Sequence, residues 1–108
     1  MLDQDAPGSY AEQVLRAVAA IPAGRVMSYG DIAEYVGAGG PRQVGQVLAH
    51  SHGRVPWWRV IRADGSPPPG KEGECLDRLR LEATPMRADG VRVDMRRARW
   101  DGRPGPQR

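Results

Sequence analysis

The stretch "VGAGGP", residues 36 to 41, constrains this chain more than any other. Its glycines reach backbone angles that other residues avoid, and its proline can begin a helix but cannot continue one. On the N-terminal side, "SYGDIAEYVG" puts Ser28 at an N-cap, Asp31 in the first turn, Ile32 and Val36 inward, and Gly37 just past the end. On the other side, "PRQVGQVLAH" starts on Pro41 and turns Val44, Val47 and Leu48 inward. Two short helices joined by a tight glycine turn have the spacing of a helix-turn-helix, a pattern that many small helical domains share.

The rest of the chain reads as further short helices with little strand. "SYAEQVLRAVAAI" predicts a helix, with Ser9 and Glu12 as a capping box and Val14, Leu15, Val18 and Ile21 on one face. "RVI" at 59–61 predicts a short strand closed by the turn "RADG", and "SPPPGKEG" a loop. "ECLDRLRLEA" predicts a fourth helix marked by Leu76, Leu79 and Leu81, and the alternation in "VRVDM" a second short strand. The expected class is mainly α. One domain is expected over residues 9–102, with flexible ends at 1–8 and 103–108.

Composition narrows the function. A single cysteine, Cys75, allows no internal disulfide, and one Cys with two His matches no common structural zinc set, so no metal is expected. The expected place is a reducing, cytoplasmic compartment, with no signal peptide and no apolar run of the roughly 20 residues a membrane span needs. The net charge is +3. It is unevenly spread: residues 36–65 carry four Arg against one Asp, and residues 83–108 carry seven Arg against three Asp. Fifteen of the sixteen basic residues are Arg, with Lys71 the exception. Arg suits phosphate forks and stacking, so a polyanionic partner is one reading, and an arginine-favouring genome is the other.

Few residues offer chemistry. Gly45 lies inside the third helix, where glycine costs about 1 kcal/mol relative to alanine. Its neighbours Gln43 and Gln46 are neutral, and Arg42 stands at the helix start. That face fits a nucleic-acid groove, and equally Gly45 permits close packing of another helix. His50 and His52 flank Ser51, but no acidic residue lies near enough in sequence to orient a Ser-His pair, so surface histidines at a helix end are expected. Cys75 has acidic neighbours, Glu72 and Glu74, that oppose a reactive thiolate. The remaining oddity is "RVPWWRVI", residues 54–61, with tryptophans side by side after a proline.

Those tryptophans fall inside a recognisable order of motifs. "PWWRVI" resembles the Pro-Cys-His-Arg-Val active-site motif of the O6-alkylguanine-DNA alkyltransferases. "GRVMSYGDIA" resembles the segment carrying that family's tyrosine, and "PRQVGQVLAH" its recognition helix. The resemblance spans about residues 9 to 102, the DNA-binding domain without the extra N-terminal domain. It implies a winged-helix-like helix-turn-helix domain with a short β element. The departure is at the reacting positions. Where the family has its acceptor cysteine this chain has Trp57, and where it has the activating histidine this chain has Trp58. An indole is neither a thiolate nor a base. Tryptophan at the cysteine position is similar to the alkyltransferase-like proteins, which bind O6-alkylguanine without transferring the alkyl group and hand it to nucleotide excision repair; many of those keep the histidine. Glu82 resembles the family glutamate that orients the histidine, although Ala83 stands where glycine is usual, and a match shifted by two would put Thr84 there.

The resemblance implies a role for each matching position. Tyr29 meets the flipped nucleotide, and Arg42 fills the vacated base stack. Gln43, Gly45, Gln46 and Ala49 line the face set against the minor groove. Leu48 and Trp57 wall the lesion pocket, Val60 offers its backbone carbonyl to the guanine amine, and Lys71 is the cation of the short loop at 66–71. Arg59 is expected to be a structural ion-pair residue, and Ser51 stands where the family has a hinge asparagine. The chain is therefore expected to be a monomeric, non-enzymatic DNA-damage sensor without cofactor. Its implied partners are duplex DNA carrying O6-alkylguanine and nucleotide excision repair proteins, in a bacterial nucleoid-associated, cytoplasmic setting. The rivals are a general DNA-binding module without lesion preference and an alkyltransferase that uses Cys75.

Overall fold

The computed structural model describes residues 8–51 and 53–104. Helix α1 runs Tyr10–Ala20, strand β1 Met27–Ser28, helix α2 Tyr29–Val36 and helix α3 Pro41–Ala49. A 3₁₀ turn over Trp57–Arg59 leads into strand β2, Val60–Ile61, followed by helices α4, Glu72–Leu81, and α5, Met95–Ala98. The architecture is mainly helical with one small sheet, as the sequence predicts.

Local chemistry sets the helix starts. Ser9 and Glu12 close a reciprocal capping box on α1, and Ser28 and Asp31 close a second on α2. Gly37 ends α2 in the left-handed conformation at φ 87°. At Gly39, also left-handed, an added Cβ would overlap the Tyr10 hydroxyl, so a side chain there would force the Tyr10 ring to move as well as strain the backbone. Pro41 begins α3, and the Gln43 side chain accepts the Gly40 N–H at 2.9 Å.

Strands β1 and β2 are parallel, with Met27 opposite Val60 and Ser28 opposite Ile61. Their alternating faces serve two cores. Met27 and Val60 join Val14, Val18, Ile32 and Val44 between the first three helices. Ile61 joins Val26, Cys75, Leu79 and Val93 on the other side. A C-terminal segment extends this sheet: the Trp100 N–H donates to Val26 O and the Val26 N–H to Ala98 O. Asp31 takes the Arg99 guanidinium through both carboxylate oxygens, which ties that segment to α2.

Several expectations need correction. Residues 91–95 form no strand: Val93 makes one isolated bridge to Met86, and Met95 already begins α5. Asp89 accepts the backbone N–H groups of Val91 and Arg92, which turns the chain before a ladder can extend. The expected strand at 59–61 begins one residue later, because Arg59 belongs to the 3₁₀ turn. Helix α4 lies two residues earlier than expected, and Leu81 is 84% exposed rather than core. Strand β1 has no counterpart in the sequence reading. Beyond Gly102, the Arg103 carbonyl accepts the Trp100 indole N–H at 2.9 Å, while residues 1–7 and 105–108 lie outside the described residues.

Candidate lesion-binding cleft

Five of the residues singled out from sequence line one cleft of about 460 Å³ beside α3: Tyr29, Gly45, Leu48, Trp57 and Lys71. Ala49, expected on the outer helix face, and Ser51, at the position of the family's hinge asparagine, also lie on its wall. Ser28 caps α2, which sets Tyr29 at the helix start, half-buried at the cleft. Burial raises the Tyr29 phenol, the neighbouring Cys75 adds to this, and Arg62 opposes it weakly, so the hydroxyl stays a proton donor at neutral pH.

Gly45 resolves between its two readings. A Cβ built there would meet the Tyr29 ring at 3.9 Å, an ordinary contact, so packing of α2 on α3 does not require glycine. What its missing side chain leaves open is the cleft itself. Arg42, Gln43 and Gln46 are exposed on α3. Pro41 starts the helix that carries them, with Arg42 in its first turn. Gln43 also caps Gly40, so only its amide nitrogen remains for an external acceptor.

Val60 is expected to contribute its backbone carbonyl rather than its side chain. It is fully buried in the first core, paired with Met27, and not among the residues lining the cleft. Pro68 and Pro69 of the 66–71 loop line it beside Lys71, and sequence reasoning missed Gly53 and Glu74, which also do. For Glu74 a signal existed: it lies three residues after Lys71, on the same side of the start of α4.

The two tryptophans have separate jobs. Trp57 lines the cleft, and the Lys71 ammonium stands 5.3 Å from its ring centroid, within cation–π range. Trp58 packs edge-on against it, with centroids 5.9 Å apart and planes at 85°. The Trp58 ring does not line this cleft. Its Nε1–H donates to Glu82 at 3.1 Å, and the Arg78 guanidinium lies 4.5 Å from its centroid. Arg59 donates to both oxygens of Glu82 and to the Ile21 carbonyl. Burial alone would raise the Glu82 carboxyl, but the hydrogen bonds from Arg59 and Trp58 outweigh it and hold the group below its usual range. These contacts place Glu82 rather than Thr84 beside the tryptophan pair, and they make Arg59 the structural ion-pair residue the sequence suggested.

Cys75 is not among the residues lining the cleft, and Ser51, which is, has its hydroxyl committed to a backbone carbonyl. The Cys75 side chain is fully buried, its thiol directed to the Trp58 carbonyl at 3.6 Å. Burial, reinforced by Glu74, pushes its pKa to about 12. The Ser51 hydroxyl, also buried, donates to Leu48 O at 2.8 Å, and the His50 ring contacts Gln46 O. His52 lies outside the described residues. No group of three or more potential metal ligands occurs among the described residues.

A helical domain with a glycine-hinged helix pair and an aromatic cleft beside its third helix defines a class. Residues 9–84 match the family model for the 6-O-methylguanine DNA methyltransferase DNA-binding domain, and the chain belongs to that family. Its relatives include a DNA base-flipping protein of Escherichia coli, 35% identical over 86% of this chain and 75% of that protein. Alkyltransferase-like protein 1 of Schizosaccharomyces pombe is 49% identical over 50% of this chain and 53% of that protein. The crystal structure of S. pombe Atl1 in complex with damaged DNA containing O6-carboxymethylguanine superposes with a TM-score of 0.75 at 32% identity, covering 93% of this chain and 98% of that one. The O6-methylguanine methyltransferase of Mycobacterium tuberculosis gives a TM-score of 0.61, and this chain covers 54% of it.

Proposed function

We propose that this chain is a non-enzymatic sensor of O6-alkylguanine in DNA. It binds along the minor groove through α3, flips the modified nucleotide into the cleft beside Trp57, and marks the site for nucleotide excision repair. The observation that carries this reading is the indole of Trp57 on the cleft wall, with the single cysteine buried and its thiol directed to the Trp58 carbonyl. A base can be inspected by such a cleft only outside the duplex, and extrusion costs a few kcal/mol, less where pairing is already damaged. Arg42, exposed in the first turn of α3, is suited to fill the vacated stack while its charge meets phosphates. Trp57 supplies an apolar face for the alkylated oxygen and cannot be consumed by it. The names of the relatives, alkyltransferase-like protein and DNA base-flipping protein, agree with this reading.

Minor-groove readout is degenerate, which suits a protein that must find a lesion in any sequence. The exposed face of α3 carries two glutamines, Gln43 and Gln46, and a single arginine, Arg42, rather than a set of base-reading forks. Alkyl transfer to Cys75 is disfavoured by the same geometry, since a thiol at about 12 inside the core is neither ionised nor reachable. The test is to incubate the protein with an O6-methylguanine duplex, then weigh both. The reading predicts unchanged protein mass and a duplex that keeps its methyl group. A methyl gain on the protein would restore the enzyme.

A further inference from the structure

A second cleft, of about 500 Å³, lies behind Trp57. It shares Gly53, Trp57 and Glu74 with the lesion cleft, so Trp57 is a partition with open space on both sides. At Gly53 nothing would lie within 4 Å of an added Cβ, so there is open space beside this shared residue. The far side differs in chemistry from the near side. It presents the guanidinium groups of Arg54, Arg59 and Arg78 together with Trp58. Arg59 is committed to Glu82. Arg78 lies over the Trp58 ring and only 4.0 Å from Glu74, at the limit of an ion pair. Arg54 is exposed and has no ion-pair partner among the described residues. The second cleft thus sets three arginines and two tryptophans against one carboxylate, Glu74, and borders the first cleft at Trp57.

We infer that this recess is a subsite for the distal end of an extended O6 substituent, and that Arg54 and Arg78 favour substituents ending in a carboxylate. This rests on the lesion-sensor reading, because it requires the guanine to sit in the first cleft. A methyl group would end against Trp57, whereas a chain of several carbons would pass its edge and place its terminus between the two guanidinium groups. Carboxylate and guanidinium pair through charge-assisted, forked hydrogen bonds, which a neutral terminus of equal length cannot form. Because both arginines are partly in water, the gain is modest, about fivefold in affinity.

The test compares duplexes identical except at O6: guanine, O6-methyl, O6-butyl and O6-(3-carboxypropyl). Affinity is measured at fixed salt for the full chain and for Arg54→Gln, Arg78→Gln and the double variant. The wild type should bind the carboxypropyl duplex about fivefold more tightly than the butyl one, and the double variant should bring that ratio close to one. Arg54→Lys should restore part of it. A wild-type ratio of one or less, with methyl still preferred over guanine, would overturn the subsite and leave the sensor reading standing. Equal affinity for methyl and guanine would remove the sensor reading itself. If the variants weaken all four duplexes equally, Arg54 and Arg78 are phosphate contacts and the subsite is wrong. The ratio is taken within each preparation, so a partly unfolded variant cannot imitate the expected result.

Discussion

Replacing Glu82 with glutamine should weaken the fold by an amount that depends on pH. Glu82 accepts two hydrogen bonds from Arg59 and one from Trp58, with both ionic side chains 16% exposed. Breaking a buried ion pair costs about 3–5 kcal/mol, whereas an exposed pair is worth about 0–1. This pair lies between those limits, and glutamine keeps one acceptor oxygen, so the expected loss is about 2 kcal/mol at neutral pH. In a domain of this size that lowers Tm by roughly 8–16 °C. The sign with pH follows from the direction of the Glu82 shift. Its carboxyl is held below the ordinary 4.5 in the folded protein. The stability it provides is therefore complete above that value and is lost as pH falls through the lower folded value. Thermal unfolding of both proteins from pH 7 downward should show a gap that is full at neutral pH and closes in acid. Other carboxylates, such as Asp31, titrate in both proteins and cancel in the difference. A gap that stayed constant down to about pH 3, or that measured under about 0.5 kcal/mol at pH 7, the scale of a surface change, would refute the reasoning.

Other outcomes follow from the same geometry. Arg42→Ala should weaken lesion binding by far more than one phosphate contact, because extrusion loses its plug; a change confined to about one unit of salt slope, with lesion preference intact, would show that Arg42 only touches the backbone. Ala83 adopts φ 58°, a left-handed angle that costs a non-glycine residue about 1–2 kcal/mol, so Ala83→Gly should raise stability by up to about 1 kcal/mol in urea titrations after the entropy of the freer unfolded chain is subtracted. Gly65→Ala should do the reverse and by more, since an added Cβ would lie 2.4 Å from the Val93 carbonyl oxygen at φ 91°. Trp57→Ala should abolish the change in indole fluorescence on adding lesion DNA if that signal arises at the cleft, whereas a signal of wild-type size in the variant would assign it to Trp58 or Trp100.

Local signals carried much of this fold. Ser9 with Glu12, Ser28 with Asp31, Gly37 and Pro41 each satisfy or avoid a specific unpaired backbone group at a helix end, so α1, α2 and α3 were readable one residue at a time. The pairing of Met27–Ser28 with Val60–Ile61 was not readable, because a two-residue parallel strand has no periodicity and its partner lies more than thirty positions away. The failed strand at 91–95 shows the complementary error: alternation was present, but Gly65 supplies only one backbone acceptor for Val93 and Asp89 turns the chain. At the site, Trp57 was legible because a large aromatic residue interrupts an otherwise recognisable motif. The place of Trp58 does not follow from its residue type; in the structure its half-buried indole N–H donates to Glu82, and the ring is not among the residues lining the lesion cleft. The burial of the Val60 side chain against Met27 was not readable, because it depends on the same strand pairing.

The most direct test of the account is a competition titration of the full chain with a labelled O6-methylguanine duplex, displaced by unlabelled damaged or undamaged duplex of the same sequence at one salt concentration. The account predicts that the damaged competitor displaces the probe at no more than about one-tenth the concentration of the undamaged one, a difference of about 1.4 kcal/mol or more. Equal displacement by the two duplexes would contradict it and leave a DNA-binding module with no interest in the lesion.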